Sequence, residues 1–361
     1  MTLTAGRVKA KALETGFDLC GIAPAEAWPE LGFFSDWLAR GYGGQMGYLP
    51  RTARVREDVR RILPSARCVV ATATLYNTGR PLSIESADEE EAIVSRYAWG
   101  ADYHEVIGRR LDALLEWMRR ETRETFEARP YVDTGPVQER VYAQRAGLGW
   151  IGKNTCLINP ECGSWLFLAE IVCSLPLQPD PPGFDQCGAC SLCLEACPTG
   201  ALVEPRVLDA TRCLSYLTIE LKQAIPEPLR EPLGRIVYGC DICQDVCPWN
   251  QAAPVSAAVE WQPRPGLDAP RLADLWRRRD DELQALVNGT PMTRPTLAGL
   301  RRNVAVAMGN SRARAVSTAL ASPADAVSAP STADGMVQEH VEWARRRCAE
   351  GPGGRIGPRS G

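Results

Sequence analysis

The run Cys187-Gly-Ala-Cys190-Ser-Leu-Cys193-Leu-Glu-Ala-Cys197-Pro198 sets four thiols and a proline at C-x2-C-x2-C-x3-C-P spacing. Cys240-Asp-Ile-Cys243-Gln-Asp-Val-Cys247-Pro248 repeats the last three members, with Val237 where a first cysteine would stand. Three thiolates on a tight loop can reach three corners of one iron–sulfur cubane, while the fourth, held by its proline, serves the neighbouring cluster. Cys213 is the only cysteine between the two runs and fills the gap. Exchange of the fourth cysteines then predicts one cluster on Cys187, Cys190, Cys193 and Cys247, and another on Cys197, Cys213, Cys240 and Cys243. Paired C-x2-C spacings also make zinc sites. A zinc site gains nothing from the x3-C-P extension, and here that extension occurs twice.

Composition narrows the rest. The opening Met-Thr-Leu-Thr-Ala-Gly-Arg holds no apolar signal segment, which leads us to expect a cytoplasmic chain whose 14 cysteines serve metal rather than bridges. No run approaches the roughly 18 apolar residues of a membrane span. A net charge of −3 advertises no global field for nucleic acid. With only His104 and His340 present, histidine-rich metal sites are excluded.

The elements that must position this chemistry can be read in order. Residues 4–20 predict an amphipathic helix, Cys20–Pro24 a short strand, 31–40 a helix and Cys68–Thr74 a buried strand. Arg51, Arg54, Arg56, Arg60 and Arg61 form a local basic patch, read either as a solvated face or as a partner for phosphate or amide groups. A long helix falls within 88–120, with Val106, Ile107, Leu111, Leu114, Leu115 and Met118 at helical spacing. His104 at its start reads as a capping or core hydrogen-bonding residue rather than a ligand. Tyr131-Val-Asp133-Thr-Gly-Pro136 is a strand running into a turn, followed by a helix bearing Glu139 and Arg140. Asp133 there is either a general acid at a strand end or a cap for that helix. Gly147-Leu-Gly149-Trp150-Ile-Gly152 follows a helix rather than a strand, so it fails as a dinucleotide fingerprint, and its small residues suit close approach to a flat ligand. Cys162–Cys173 is a turn and a buried strand, and Pro179–Gly183 marks a boundary. Beyond 250, helices at 271–276, 282–287, 297–308, 311–320 and 337–348 suggest a small helical solenoid. Arginines 277–279, 294, 301, 302, 312 and 314 give it a basic face, and the Gly-rich end is expected to be disordered. The domains expected are 1–178, 179–250 and 251–349, with a tail at 350–361.

Several stretches together resemble the epoxyqueuosine reductase family, iron–sulfur and cobalamin enzymes that complete queuosine in tRNA. They are Arg96-Tyr97-Ala98-x-Gly100-x-Asp102-Tyr103-His104, Tyr131–Pro136, Ala146–Thr155, Gly163-Ser-Trp165, the two cysteine runs and Gly289-Thr-Pro291. The chain departs in Ala169 before Glu170, where the family tends to have glycine, and in an Ala/Ser-rich C-terminal stretch. The resemblance implies an α+β fold: an N-terminal α/β cobalamin-binding domain of reductive-dehalogenase or nitroreductase type, an inserted two-cluster ferredoxin-like module and a C-terminal HEAT-like helical segment. It implies cobalamin lying between the first two, base-off, with no protein histidine on cobalt. It makes Asp133 the acid, kept protonated by a dry pocket, and gives Arg56, Tyr97, Lys153, Asn154, Ser164, Ser215 and Asp241 as cofactor contacts. The implied activity is reduction of epoxyqueuosine to queuosine at the wobble position. The partners implied are the anticodon arm of tRNA and an external low-potential electron donor. The alternatives are a dehalogenase-like reductase and a plain ferredoxin-type carrier.

Overall fold

The buried-strand signal at Cys68–Thr74 forms β2 (Cys68–Leu75), whose eight side chains are all buried. A strand covered on both faces needs neighbours at both edges. β1 (Leu19–Pro24) supplies one, β7 (Leu166–Cys173) the other, and β4 (Ala128–Tyr131) completes the order β1-β2-β7-β4, antiparallel throughout. In this register Glu170 of β7 lies between Ala71 of β2 and Tyr131 of β4. The structure is a computed structural model and describes residues 3–321 and 334–350; the tail expected to be disordered lies outside the described residues.

Helices cover both faces of this sheet. α1 (Ala5–Glu14) and α4 (Tyr103–Glu121) pack on one side. On the other, α5 (Glu139–Arg145) brings Val141, Tyr142 and Ala143 against Val69, Ala71, Leu168 and Val172, joined by Leu31 of α2 (Pro29–Ala39). The opening helix stops well before residue 20, because Gly16 takes a left-handed φ of +98°. α4 starts late because Asp102 caps it, accepting from His104 N at 3.0 Å. Its six predicted apolar positions are all buried. α3 (Tyr48–Arg56) carries part of the basic patch. The same unit, made of Met1–Arg80, Gly100–Thr211 and Ile242–Gln262, holds the hairpin of β5 (Trp150–Ile151) and β6 (Leu157–Ile158). It also holds the short α6 (Leu192–Ala196) and α9 (Ile242–Asp245), which pack on each other.

The second unit comprises Pro81–Trp99, Arg212–Asp241 and the chain from Pro263 onward. β3 (Ile93–Val94) pairs in parallel with β10 (Ile236–Tyr238), and α7 (Leu214–Ile219) packs nearby. At its centre α12 (Leu297–Asn310) is buried from Gly299 to Gly309. α14 (Gly335–Glu350) approaches so closely that a Cβ on Gly309 would lie 2.8 Å from Ala344 Cα. This overturns part of the basic-face reading. Arg301 and Arg302 are 1% and 0% exposed and point inward. Arg301 donates to the carbonyls of Leu275 and Trp276 at 3.2 and 3.1 Å, and to Asp280 at 3.0 Å. Arg302 donates to Leu217 and Leu221 at 2.6 and 2.8 Å, and to Gln223. Burial lowers Arg302 to about 10, still charged at neutral pH. Beside it, Asn303 donates to Thr218 and Val237 at 2.8 and 2.9 Å. Carbonyls left unmatched by local structure thus find their donors on one helix.

Candidate active site and cluster cavity

β4 ends at Tyr131, and two residues later Asp133 takes φ +53°, a left-handed conformation that is unusual for a side-chain-bearing residue. Asp133 does not cap α5; the cap position is Gln138. Instead its backbone N donates to Glu139 Oε1 at 2.5 Å. The loop is tied down further by Gln138, whose amide donates to Leu31 O and Arg56 O at 2.9 and 3.1 Å. Arg56 Nη1 donates to Val137 O at 3.1 Å.

The carboxylate so presented faces the start of α4. Asp133 Oδ2 accepts from the Tyr103 hydroxyl at 2.9 Å and lies 3.3 Å from His104 Nε2. The other ring nitrogen, Nδ1, lies 2.7 Å from Asp102 Oδ1. Tyr103 is held flat by Phe167 of β7, ring centroids 4.5 Å apart. The result is a row, Asp102–His104–Asp133, with Tyr103 alongside. Burial alone would lower His104, but the two carboxylates outweigh it and raise the imidazole to about 9. Asp133 is 56% exposed. Its recess disfavours charge, yet the bonds from His104 and Tyr103 hold it below the usual carboxylate range. These contacts favour a carboxylate at Asp133 with the proton on His104, whereas the expected dry, protonated carboxyl belongs to a covered pocket. From sequence His104 was read only as a capping or core hydrogen-bonding residue and Tyr103 was given no role, although both lie in the Arg96–His104 stretch.

The other assigned residues fall in different places. Lys153 Nζ donates to Gly188 O and Cys190 O at 2.7 and 2.8 Å, clamping the cysteine loop. Asn154 donates to Cys243 O at 3.3 Å. Ser164 is buried in a network with Asn250 and Gln244. The glycines before them serve packing: a Cβ on Gly149 would lie 2.1 Å from Ile158 O. Tyr97, Ser215 and Asp241 belong to the second unit. There Tyr97 bonds Tyr238 at 3.0 Å, Asp241 accepts from Ser95 and from Arg96 N, and Ser215 lies within α7.

Cys187, Cys190, Cys193 and Cys247 line one cavity, together with Lys153, Asn154, Leu192 and Trp249. Trp150 Nε1 donates to Cys187 Sγ at 3.4 Å and packs edge-on against Trp249. Burial pushes Cys247 up to about 11, with the Cys187 and Cys193 thiols adding to the rise, so metal uptake here must displace protons. Four cysteines lining one partly open cavity suit a four-thiolate cluster. Cys197 and Cys243 lie elsewhere in the first unit, while Cys213 and Cys240 belong to the second.

Residues 186–250 match the family model of a 4Fe-4S double cluster binding domain, and residues 56–134 match that of epoxyqueuosine reductase QueG, DUF1730. The epoxyqueuosine reductase of Pseudomonas aeruginosa is 40% identical over 344 residues, covering 93% of this chain and 92% of its own. That of Escherichia coli is 36% identical over 345 residues, covering 94% and 88%. A crystal structure of epoxyqueuosine reductase with an epoxyqueuosine-modified tRNA stem loop aligns with TM-score 0.80 at 29% identity, covering 95% of this chain and 89% of the other. A structure from Bacillus subtilis, with its catalytic aspartate loop swung out of the active site, aligns with TM-score 0.80 at 28% identity, covering 95% and 90%. At such identity over nearly the whole of each curated relative, the chain belongs to the epoxyqueuosine reductase family.

Proposed function

We propose that this chain reduces epoxyqueuosine to queuosine in tRNA, with Asp133 protonating the oxygen that leaves. The observation that carries this is the Asp102–His104–Asp133 row at a strand end. A plain electron carrier would need only the segment 186–250 and would leave that row without work. In the Bacillus subtilis relative, too, a loop that bears an aspartate is catalytic.

The double-cluster match supports one cluster on Cys187, Cys190, Cys193 and Cys247 and, from the spacing, a second on Cys197, Cys213, Cys240 and Cys243. Family membership implies cobalamin as well. Both histidines have their ring nitrogens engaged: His104 by Asp102 and Asp133, His340 by Ile225 N at 3.1 Å and Met336 O at 2.7 Å. That donor set would fit a corrinoid that takes no imidazole from the protein, and Arg56 is a proposed contact bonded to Val137 beside the Asp133 loop. When bound, these groups supply two electrons to the substrate, one at a time and at low potential.

What the chain's own residues do follows from the row. An alkoxide leaves poorly, so the oxygen must be protonated as its bonds to carbon break. Covering the recess with substrate removes water and disfavours the charged pair. The proton then moves from His104 Nε2 to Asp133, which becomes the neutral acid the reaction needs. Asp102 holds the ring in place through Nδ1, and Tyr103 holds Oδ2. For the tRNA, the exposed Arg277, Arg279, Arg294, Arg312 and Arg314 of the second unit are proposed to meet phosphates, while a single-stranded loop splays its modified base toward Asp133. No described helix is long and apolar enough to cross a membrane, and we place this work in the cytoplasm.

The test is anaerobic reconstitution with iron, sulfide and cobalamin, a low-potential donor, and tRNA bearing epoxyqueuosine. Queuosine should form, with about eight irons per chain for two cubanes. Eight irons without conversion would favour the carrier reading, and zinc in place of iron would end both. Trp150→Phe offers a finer check. An N–H donor to a ligand sulfur favours the more negative, reduced cluster, so losing it should lower one midpoint in a redox titration followed by electron paramagnetic resonance. An unchanged midpoint would separate Trp150 from the cluster.

A further inference from the structure

Converting an epoxide to an alkene consumes two electrons and two protons and releases water, whereas the His104–Asp133 pair stores one proton. Behind Asp133 lie two further carboxyl groups. Glu139 opens α5 and accepts from Asp133 N at 2.5 Å. Glu170 sits in the middle of β7, on the interior of the sheet. Strand alternation puts it with Leu168 and Val172, on the face that α5 covers. It is 0% exposed, and neither carboxyl oxygen has a hydrogen-bond partner among the described residues. A carboxylate in that position would be an unpaired buried charge, so the group is a neutral acid.

We propose that Glu139 and Glu170 hold the second proton of each turnover as carboxylic acids and recharge Asp133 after it has protonated the leaving oxygen. This rests on the reading of Asp133 as the acid. Both carbon–oxygen bonds of the epoxide break and a carbon–carbon double bond forms. The two electrons come from the external donor by way of the clusters, and the oxygen departs as water with one proton from the His104–Asp133 pair and one from the inner carboxyls. Bulk solvent refills the store between turnovers.

Electrostatics supports the arrangement. Burial, then the charge of Asp133, raises Glu139 to about 8, while Arg140 and Arg56 pull the other way. Glu170 is raised well above the carboxyl range by burial and then by Glu139 and Asp133. Tyr142 of α5, itself raised by burial, is a further titratable group that feels Glu170. Each carboxyl makes its neighbour harder to ionise.

The experiment is a pH-difference infrared titration of the full-length holoenzyme, followed by kcat profiles. The wild type should show a carboxylic-acid band at neutral pH that fades as pH rises through about 8. Glu139→Gln should remove that band, and Glu170→Gln should remove one that persists to higher pH. Glu139→Gln should lower kcat about tenfold or more at neutral pH, where the wild-type group holds its proton, leave KM unchanged, and converge with the wild type as pH rises past about 8, where Glu139 is ionised in the wild type as well. A wild type whose carboxyls all titrate in the ordinary range overturns the proposal without any variant. Gln variants that keep the wild-type profile overturn it too. If Asp133→Asn remains active while both infrared bands persist, the Asp133 reading has failed and the buried acids are real but unconnected to catalysis.

Discussion

Asp133→Asn is expected to lower turnover of epoxyqueuosine-bearing tRNA by about 10²- to 10⁴-fold, the usual worth of a positioned general acid. The amide keeps the shape of the carboxyl and accepts from Tyr103, but it can neither take the proton from His104 nor give it up. Cluster content should be unchanged, because Asp133 does not line the cysteine cavity. The pH profile adds a second readout. His104 is raised to about 9 by the two carboxylates it bridges, so it carries its proton below that pH and loses it above. The part of wild-type activity that depends on this pair should therefore be lost as pH rises through about 9. Without the Asp133 charge the imidazole loses one of its two anionic partners, so residual activity in the variant should fall at lower pH. Full activity in Asp133→Asn, with iron intact, would assign the proton to another group.

The second large effect concerns stability. Arg302→Met should destabilise the second unit by about 3–5 kcal/mol. The Leu217 carbonyl loses its donor in a buried bond and those of Leu221 and Gln223 lose theirs in part-buried ones, at roughly 1–3 kcal/mol each, and relief from burying a charge offsets part of that loss. Lysine should rescue little, since a single ammonium cannot span Leu217, Leu221 and Gln223 as the planar fork does. Two units need not unfold together, so amide hydrogen exchange is the proper measurement. Protection should fall in α7 and α12 while the β1-β2-β7-β4 sheet is unaffected. Equal protection in Arg302→Met would show the network to be dispensable.

How far the sequence could be read differed from residue to residue. The cysteine runs were legible because ligand spacing is local: three thiols within seven residues need only a tight loop. Bringing Cys247 to the same cavity needed the rule of exchanged fourth cysteines. From the residues alone Asp133 at a strand end read as a cap ahead of an acid, and only the family resemblance favoured the acid. Its partner His104 stayed hidden because the two meet across 29 residues, from a helix start and a strand end, and no short pattern encodes that meeting. Arg301 and Arg302 were misread because charges on a helix usually mark its wet side. A signal was available. Three consecutive polar residues, Arg301-Arg302-Asn303, sweep well over half a turn at 3.6 residues per turn, so they cannot share one solvent face. Glycines 147, 149 and 152 suggested a ligand cradle, but in the fold they let neighbouring chain segments touch.

The second unit is assembled from three separated stretches of chain, and this fixes an order of events during synthesis. A ribosome adding about 5–20 residues per second releases Cys213 and Cys240 before it has made Arg302 and Asn303. Those two residues hold the carbonyls of Leu217, Thr218, Leu221 and Val237. When the two thiols first emerge, the surroundings that will fix their loops do not yet exist. With the proposed ligand set, iron delivery to them would be a step after translation, and until then the nascent chain would depend on the cell to keep both sulfurs reduced.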